Sequence, residues 1–363
     1  MALISCRNVL RALHSGKSLT KCSKLLVEHS QIHVRTKMTE TPVTFLFGYK
    51  FMHKFDTNSK IVVLDGNLAV GKTSIANDLA DKMGMKYFPE CHAHYLDERT
   101  LGPGQKCDPR FSGDISLDRF YADPLAKDGH TFRFQMMMYG MRFLQYRDAM
   151  MHLLETGQGI VMERSVYSDF VFLEAIMDMG WIRKACYDFY NEIKGLSLYR
   201  MKHPHVVVYL DASPELAHQR FVERGKGYEK NVPLEYFQGL DKAYKEKFLP
   251  EMKDAGCEVL QYDWKSFGNI DRIVDDIAYL KFKDSPWNIV DDTELDKHYR
   301  FLANEHQVVD CMTIPKYVPE ITYGAQQFDD LIEEYKIKYN KRYAPGFNPG
   351  EYKNKLELMF KWK

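Results

Sequence analysis

Apolar positions in this chain fall in short runs spaced by longer amphipathic stretches. Residues 59–65, Ser-Lys-Ile-Val-Val-Leu-Asp, are β-branched and apolar and stop at Gly66, which predicts a short buried strand. A helix is expected over 72–83, then a second strand at 85–88 before Pro89. Residues 100–130 are rich in Gly, Pro and Asp and read as loop with short helix. From 131 to 155 a Met- and aromatic-rich stretch predicts a long helix ended by Gly157 and Gly159, with a third strand at 159–163. Helices are expected over 169–180 and 182–194. Residues 205–210, His-Val-Val-Val-Tyr-Leu, are apolar on both faces, as in a parallel-sheet strand. Helices over 214–224 and 233–253, a strand over 258–262 and a helix over 270–282 follow. Strands alternating with helices predict an α/β fold with a parallel sheet covered on both faces. Past Pro286 the texture changes to Tyr, Pro and charge with few apolar runs, which predicts an irregular extension over 286–363 that lies on the domain or on a partner.

Charge narrows the function classes. Lys+Arg and Asp+Glu number 50 each, so bulk positive charge does not draw this chain to nucleic acid. No apolar run reaches the roughly 18 residues that a membrane-spanning helix requires. Any membrane association is therefore expected to go through a protein partner. The 7 cysteines are widely spaced and form no C-x-x-C, which argues for reduced thiols rather than a disulfide framework or zinc site. Residues 1–37 differ from the rest. They carry seven Lys and Arg against one acid, Glu28, and Leu3, Val9, Leu10 and Leu13 share one face of a short helix with Arg7 and Arg11 beside it. A basic, acid-poor, amphipathic start predicts a mitochondrial transit peptide and arm over 1–37.

The densest chemistry lies between the first strand and the first long helix. Gly66, Asn67, Gly71, Lys72 and Thr73 fit G-x-x-x-x-G-K-S/T, with Ser74 following in the helix. Backbone N–H groups of such a loop, together with the helix N-terminus, wrap phosphate oxygens. Lys72 then reaches the β- and γ-phosphates and Thr73 holds Mg²⁺. Ala69 and Val70 place a Cβ and a branched apolar side chain inside this loop. Glu90 lies just past the second strand, at the edge where open α/β sheets hold ligands, and can take a proton from an attacking hydroxyl. Glu163 and Arg164 follow the third strand at the same edge, placed for Mg²⁺ and for a substrate oxygen. Arg220, Arg224, Lys226 and Lys230 surround Gly225 and Gly227, as in a lid that closes on phosphates. Met136, Met137, Met138 and Met141 read as core packing.

These motifs, in this order and spacing across residues 60–285, resemble the deoxynucleoside kinases. Tyr121 stands before Ala122-Asp123-Pro124, Phe134-Gln135 opens a helix, and Glu163 to Asp169 reads Glu-Arg-Ser-Val-Tyr-Ser-Asp. The resemblance implies a P-loop NTPase-type domain over 58–285. It implies Glu90 as general base and Arg164 at the 5′-oxygen, Gln135 on the base edge, and Tyr121 and Glu229 on the sugar 3′-hydroxyl. Arg220, Arg224 and Lys226 would meet the phosphates. Arg142 and Asp169 match a pair that faces a purine base in part of the family, so a purine (deoxy)nucleotide is expected. Cys91 and Tyr95 stand where the family has Pro and Trp, and Lys226 replaces an arginine, losing bidentate geometry.

A second resemblance spans nearly the whole chain. The transit peptide, the P-loop and the tail segments Val318-Pro319-Glu320-Ile321-Thr322-Tyr323-Gly324-Ala325 and Tyr343-Ala344-Pro345-Gly346 together look like the alpha-subcomplex accessory subunits of mitochondrial respiratory complex I. This likeness implies a non-catalytic peripheral subunit on the matrix side of the inner membrane, partnered with other complex I subunits. FAD is a cofactor associated with that family, although no flavin fingerprint stands in the sequence. The alternative is an active mitochondrial deoxynucleoside kinase, passing the ATP γ-phosphate to a deoxypurine nucleoside 5′-hydroxyl with Glu90 as base.

Overall fold

The computed structural model describes residues 42–105, 115–225, 232–266, 268–282 and 291–322, with residues 227, 287, 330 and 334 besides. The transit-peptide segment 1–37 lies outside the described residues. The chain divides into two units, Met1–Pro42 and Val43–Lys363, and everything described from Val43 onward belongs to the second.

Five parallel strands form one sheet in the order β2-β3-β1-β4-β5. They are β1 (Ile61–Gly66), β2 (Lys86–Phe88), β3 (Ile160–Glu163), β4 (Val206–Asp211) and β5 (Glu258–Asp263). β1 is central, with Val62 opposite Val161 of β3 on one side and Val206 of β4 on the other. Ile61 to Leu64 are fully buried, which is why the run is apolar throughout rather than alternating: helices cover both faces.

The helices before the extension are α1 (Pro42–Phe47), α2 (Lys72–Met83), α3 (Tyr95–Leu101), α4 (Leu117–Ala122), α5 (His130–Thr156), α6 (Phe170–Asp178), α7 (Lys184–Leu198), α8 (Pro214–Glu223), α9 (Leu234–Ala243), α10 (Leu249–Asp254) and α11 (Ile270–Tyr279). α5 spans 27 residues, about 40 Å at the α-helical rise, and is buried nearly all round. Gly129 at φ 76 and Gly157 at φ 77 bracket it with left-handed turns. The single helix expected over 233–253 is broken in the middle. Pro250 has no N–H to return to the preceding turn, and the chain meets it with a π-helical turn, Tyr244–Phe248.

The tail departs from expectation in part. Residues 291–322 do lie on the domain, but their first portion is helical: α12 (Asp292–Ala303) and α13 (Glu305–Asp310). Asp291 caps α12 by accepting from Glu294 N–H, and Asn304 caps α13 by accepting from Gln307 N–H. Leu295, Tyr299 and Leu302 form a buried stripe at helical spacing. That stripe is short and diluted by charge, which hid it in the sequence. α12 packs against the C-terminal end of α5, where Arg147 Nε donates to the Leu302 carbonyl at 2.7 Å. It also seats the domain's own N-terminal arm, the stretch that runs up to β1. Tyr49 N–H donates to Asp296 at 2.9 Å and Phe51 N–H to Asp292 at 2.7 Å. Among the described residues no helix is long and apolar enough to cross a membrane.

At Gly157 a Cβ would collide with the Lys54 backbone carbonyl, and the φ of +77 is itself unfavourable for a side chain. Gly157→Ala should therefore destabilise the protein by about 1–3 kcal/mol, read as a lowered urea midpoint with an unchanged slope.

Candidate functional site

The strand ends of β1, β2 and β3 bring the expected residues to one edge of the sheet. The loop between β1 and α2 turns at Gly66 (φ 145), Ala69 (φ 55) and Gly71 (φ 86). A Cβ on Gly66 would stand 2.7 Å from the Leu210 carbonyl on β4, so the loop can leave the sheet here only as glycine. Ala69 occupies the left-handed region without glycine's freedom, while Val70 is fully buried and anchors the loop. Lys72 is buried at the start of α2, and its ammonium donates to the Asn67 carbonyl at 2.7 Å and the Gly66 carbonyl at 3.3 Å. Burial first, and then the neighbouring Arg164 cation, pull the Lys72 ammonium down to about 7.

Arg164 follows β3 at φ 55 and is 1% exposed. Its guanidinium pairs with Glu90 and donates to the Gly66 carbonyl at 3.0 Å and to Tyr244 Oη at 3.1 Å. Tyr244 in turn donates to Asp65 at 3.1 Å. Burial would lower the Arg164 guanidinium, but Glu90 and Tyr244 outweigh it and hold it firmly charged. Glu90, at the rim with 40% of its side chain exposed, is raised by burial but lowered more by Arg164, Lys72 and Arg142, and rests at about 2. Glu90 is thus an ionised carboxylate at neutral pH.

Glu163 ends β3 with one carboxylate oxygen accepting from Tyr87 and the other from the Thr73 hydroxyl at 2.9 Å. A hydroxyl and a carboxylate brought together beside a phosphate loop are the hard oxygen ligands that Mg²⁺ takes alongside substrate phosphates, so these residues fit the ion. Among the described residues no group of three or more His, Cys, Asp or Glu could hold a metal without such help. Ser74 follows on α2 with its side chain exposed.

A second cluster lies on α5. Asp169 accepts from Arg142, from Gln135 at 2.7 Å and from Tyr190 at 2.6 Å. All four side chains are buried. Gln135 thus has its amide nitrogen committed to Asp169, and Arg142 Nε is buried without a partner. The guanidinium carbons of Arg142 and Arg164 stand 4.9 and 5.1 Å from the Phe172 ring centre, so this ring joins the two clusters. Tyr121 is buried on α4, with its ring 5.8 Å from Phe221 of α8 and 6.4 Å from Tyr236 of α9.

Of the expected lid residues, Arg220 and Arg224 are described. Arg220 donates to the Lys265 carbonyl after β5 at 2.9 Å, and Arg224 lies over the Phe221 ring at 5.1 Å. Lys226 and Glu229 lie outside the described residues. Three groups in the network were missed in the sequence. Asp65 carried a signal, being the one acid in an apolar strand. Tyr87 alternates into a short strand and Tyr244 sits on a helix, and neither position is marked by its neighbours.

Residues 62–280 match the family model for deoxynucleoside kinase. The chain is 40% identical over 315 residues to NADH dehydrogenase (ubiquinone) 1 alpha subcomplex subunit 10, mitochondrial, of Bos taurus, covering 87% of this chain and 91% of that protein. The chain belongs to the deoxynucleoside kinase family, in the branch of these alpha subcomplex subunit 10 proteins. The Mus musculus protein of the same name is also 40% identical, over 88% of this chain and 89% of that one. Deoxyguanosine kinase of Dictyostelium discoideum is 33% identical over 62% of this chain and 71% of its own. A solved structure of deoxyadenosine kinase from M. mycoides with bound dATP covers 60% of this chain and 98% of that chain, at 18% identity and a TM-score of 0.46. The P-loop, the turn at Glu163–Asp169 and the Gln135 helix all fall inside the family's span.

The Lys72 ammonium gives a pH test. An unfolded lysine titrates near 10.5, so between about 7 and that value the unfolded chain binds more protons. Stability should therefore rise with pH across this window, by about 1 kcal/mol per unit. Lys72→Met should remove that rise, read as the difference between wild-type and variant unfolding free energies at pH 7 and pH 9.

Proposed function

We propose that this protein is a non-catalytic accessory subunit of mitochondrial respiratory complex I, held peripherally on the matrix side of the inner membrane. We further propose that it keeps a kinase-like site to hold a purine (deoxy)nucleotide with a structural or assembly role. The observation that carries the reading is the extent of likeness. The alpha subcomplex subunits match over 87–88% of this chain at 40% identity, whereas the kinase of D. discoideum matches over 62% at 33%. The kinase-like domain over 58–285 would bind the nucleotide, and the extension over 286–363 would add partner contacts. The exposed Phe45, Leu46 and Phe47, each at least 70% exposed and outside the family match, suit an apolar partner subunit.

Within the site, Lys72 and Arg164 now share the Gly66 carbonyl, and Lys72 also holds that of Asn67. Phosphate oxygens arriving in the loop would replace those carbonyls as partners of both cations. Mg²⁺, supplying charge neutralisation of the phosphates when bound, would sit on Thr73 and Glu163. The base would meet Gln135, Arg142 and Asp169, whose mixture of donors and acceptor fits the edge of a purine. FAD is the lesser candidate and would enter through its adenine nucleotide half, the part these residues suit. A nucleotide that binds only the folded state stabilises it by mass action, which is how a retained ligand would serve assembly.

The test is a native gel of detergent-solubilised mitochondria immunoblotted for this chain, with chromatography of what heat releases from the purified complex. Migration with the megadalton complex, and release of a purine nucleotide about equimolar with the chain, are the expected results. Migration as a free protein that phosphorylates deoxyguanosine, with the activity lost in Glu90→Gln, would overturn the accessory reading. Release of flavin in place of a nucleotide would reassign the ligand.

A further inference from the structure

We propose that the C-terminal extension is a positioning strap for the kinase-like site: it clamps both ends of α5, so that tail docking and nucleotide binding strengthen one another. The inference rests on the nucleotide reading above. Its tail residues, Leu302, Lys316 and Glu320, lie outside the family's matched span.

α5 is the element on which the base-side cluster is built. It carries Gln135 and Arg142 to Asp169, and its Gln145 donates to the Pro89 carbonyl at 2.8 Å, next to Glu90. Its axial position and rotation therefore set three contacts at once. At its C-terminal end the tail holds it through Arg147, whose Nε donates to the Leu302 carbonyl of α12. The same guanidinium donates to Asp148 at 2.7 Å, and Asp148 accepts from Tyr95 at 2.9 Å and pairs with Arg99 at 2.8 Å, both on α3. α3 begins a few residues past Glu90, so the clamp reaches the rim carboxylate from its far side.

At the other end the tail crosses α5 at Gly129, its first turn. A Cβ on Gly129 would stand 3.2 Å from the Glu320 Cα and closer still to its side chain. Glu320 is fixed there by a two-pronged pair with Arg183, at 2.6 and 2.8 Å, while Lys316 binds Glu192 of α7 at 3.1 Å. Exposed ion pairs contribute little as a rule. This one has bidentate geometry, and its carboxylate is only 14% exposed against the glycine turn. Beside that turn, His130 Nε2 accepts from the Ser116 N–H that opens α4, and Asp128 binds Arg119 of α4 at 2.6 Å and Arg133 of α5 at 2.8 Å. α4 carries Tyr121. The strap thus reaches the nucleoside side through the N-terminal end of α5 and the rim through its C-terminal end.

A strap that favours the binding geometry must itself be favoured by the ligand, because coupling is reciprocal. The experiment uses the full chain with dGTP and Mg²⁺ as probe, reading the dissociation constant by calorimetry and chymotrypsin cleavage of the tail with and without dGTP. Glu320→Ala should weaken dGTP about five- to tenfold, and dGTP should slow tail cleavage in the wild type. The exchanged pair, Arg183→Glu with Glu320→Arg, should recover both. If Glu320→Ala loosens the tail but binds dGTP as the wild type does, the tail is only an attachment and the proposal is overturned. A wild-type chain that binds neither dGTP nor dATP would instead overturn the nucleotide reading, and the coupling with it.

Discussion

The buried guanidinium of Arg164 is the constraint around which this site is organised. A cation this deep is tolerated only when each donor finds an acceptor, and breaking one such pairing is far costlier than the pairing is stabilising. Arg164 meets the requirement with three separate parts of the chain: Glu90 beyond β2, the Gly66 and Asn67 carbonyls after β1, and Tyr244 in the π-helical turn. It does so from a backbone φ of 55, which a non-glycine residue holds only when its surroundings enforce it. The guanidinium therefore fixes the mutual position of three loops that local propensity alone leaves free. Tyr244 and Asp65 are the less visible half of the arrangement: Tyr244 accepts from the Arg164 Nε and donates its own proton to Asp65 in a hydrogen bond.

Asp169 plays the matching part for the second cluster. It gathers Arg142, Gln135 and Tyr190 on one buried carboxylate, and Phe172 lies between that cluster and Arg164. Both clusters are present in a chain that is 40% identical to complex I accessory subunits. Ligand retention and turnover ask different things of such a site. Binding needs complementary charge and shape, whereas phosphoryl transfer also needs the base and nucleophile aligned within a fraction of an ångström. A site can be released from the second demand and still be held by the first, and on the proposed function that is how kinase-like residues would stand inside a protein whose likeness runs to complex I subunits.

Much of this was legible in the residues themselves. The strand at 61–66, the helix at 72–83 and the long α5 follow from apolar runs punctuated by glycine, because those signals are local. The gathering of Lys72, Thr73, Glu90, Glu163 and Arg164 was legible too, since parallel strands deliver their following residues to one edge. What escaped was long-range or diluted. Tyr87 and Tyr244 acquire meaning only when β2 and the π-helical turn fold against β3. The helical start of the tail was masked by charge around Leu295, Tyr299 and Leu302. The bend at Tyr244–Phe248 had its cause in plain sight in Pro250, but a proline in a periodic stretch does not say whether the helix will stop, kink or widen.

The seat of the N-terminal arm carries a consequence for how the chain comes to be folded. The Tyr49 and Phe51 amides are satisfied by Asp296 and Asp292, partners 247 and 241 positions further along. Synthesis proceeds from the N-terminus, as does threading of a chain through a translocation pore led by its first residues. The arm therefore emerges well before its receptor, which lies 241 to 247 positions further along. Through that interval the Tyr49 and Phe51 amides lack the two carboxylates that satisfy them in the fold, so the seating of this segment has to wait for α12.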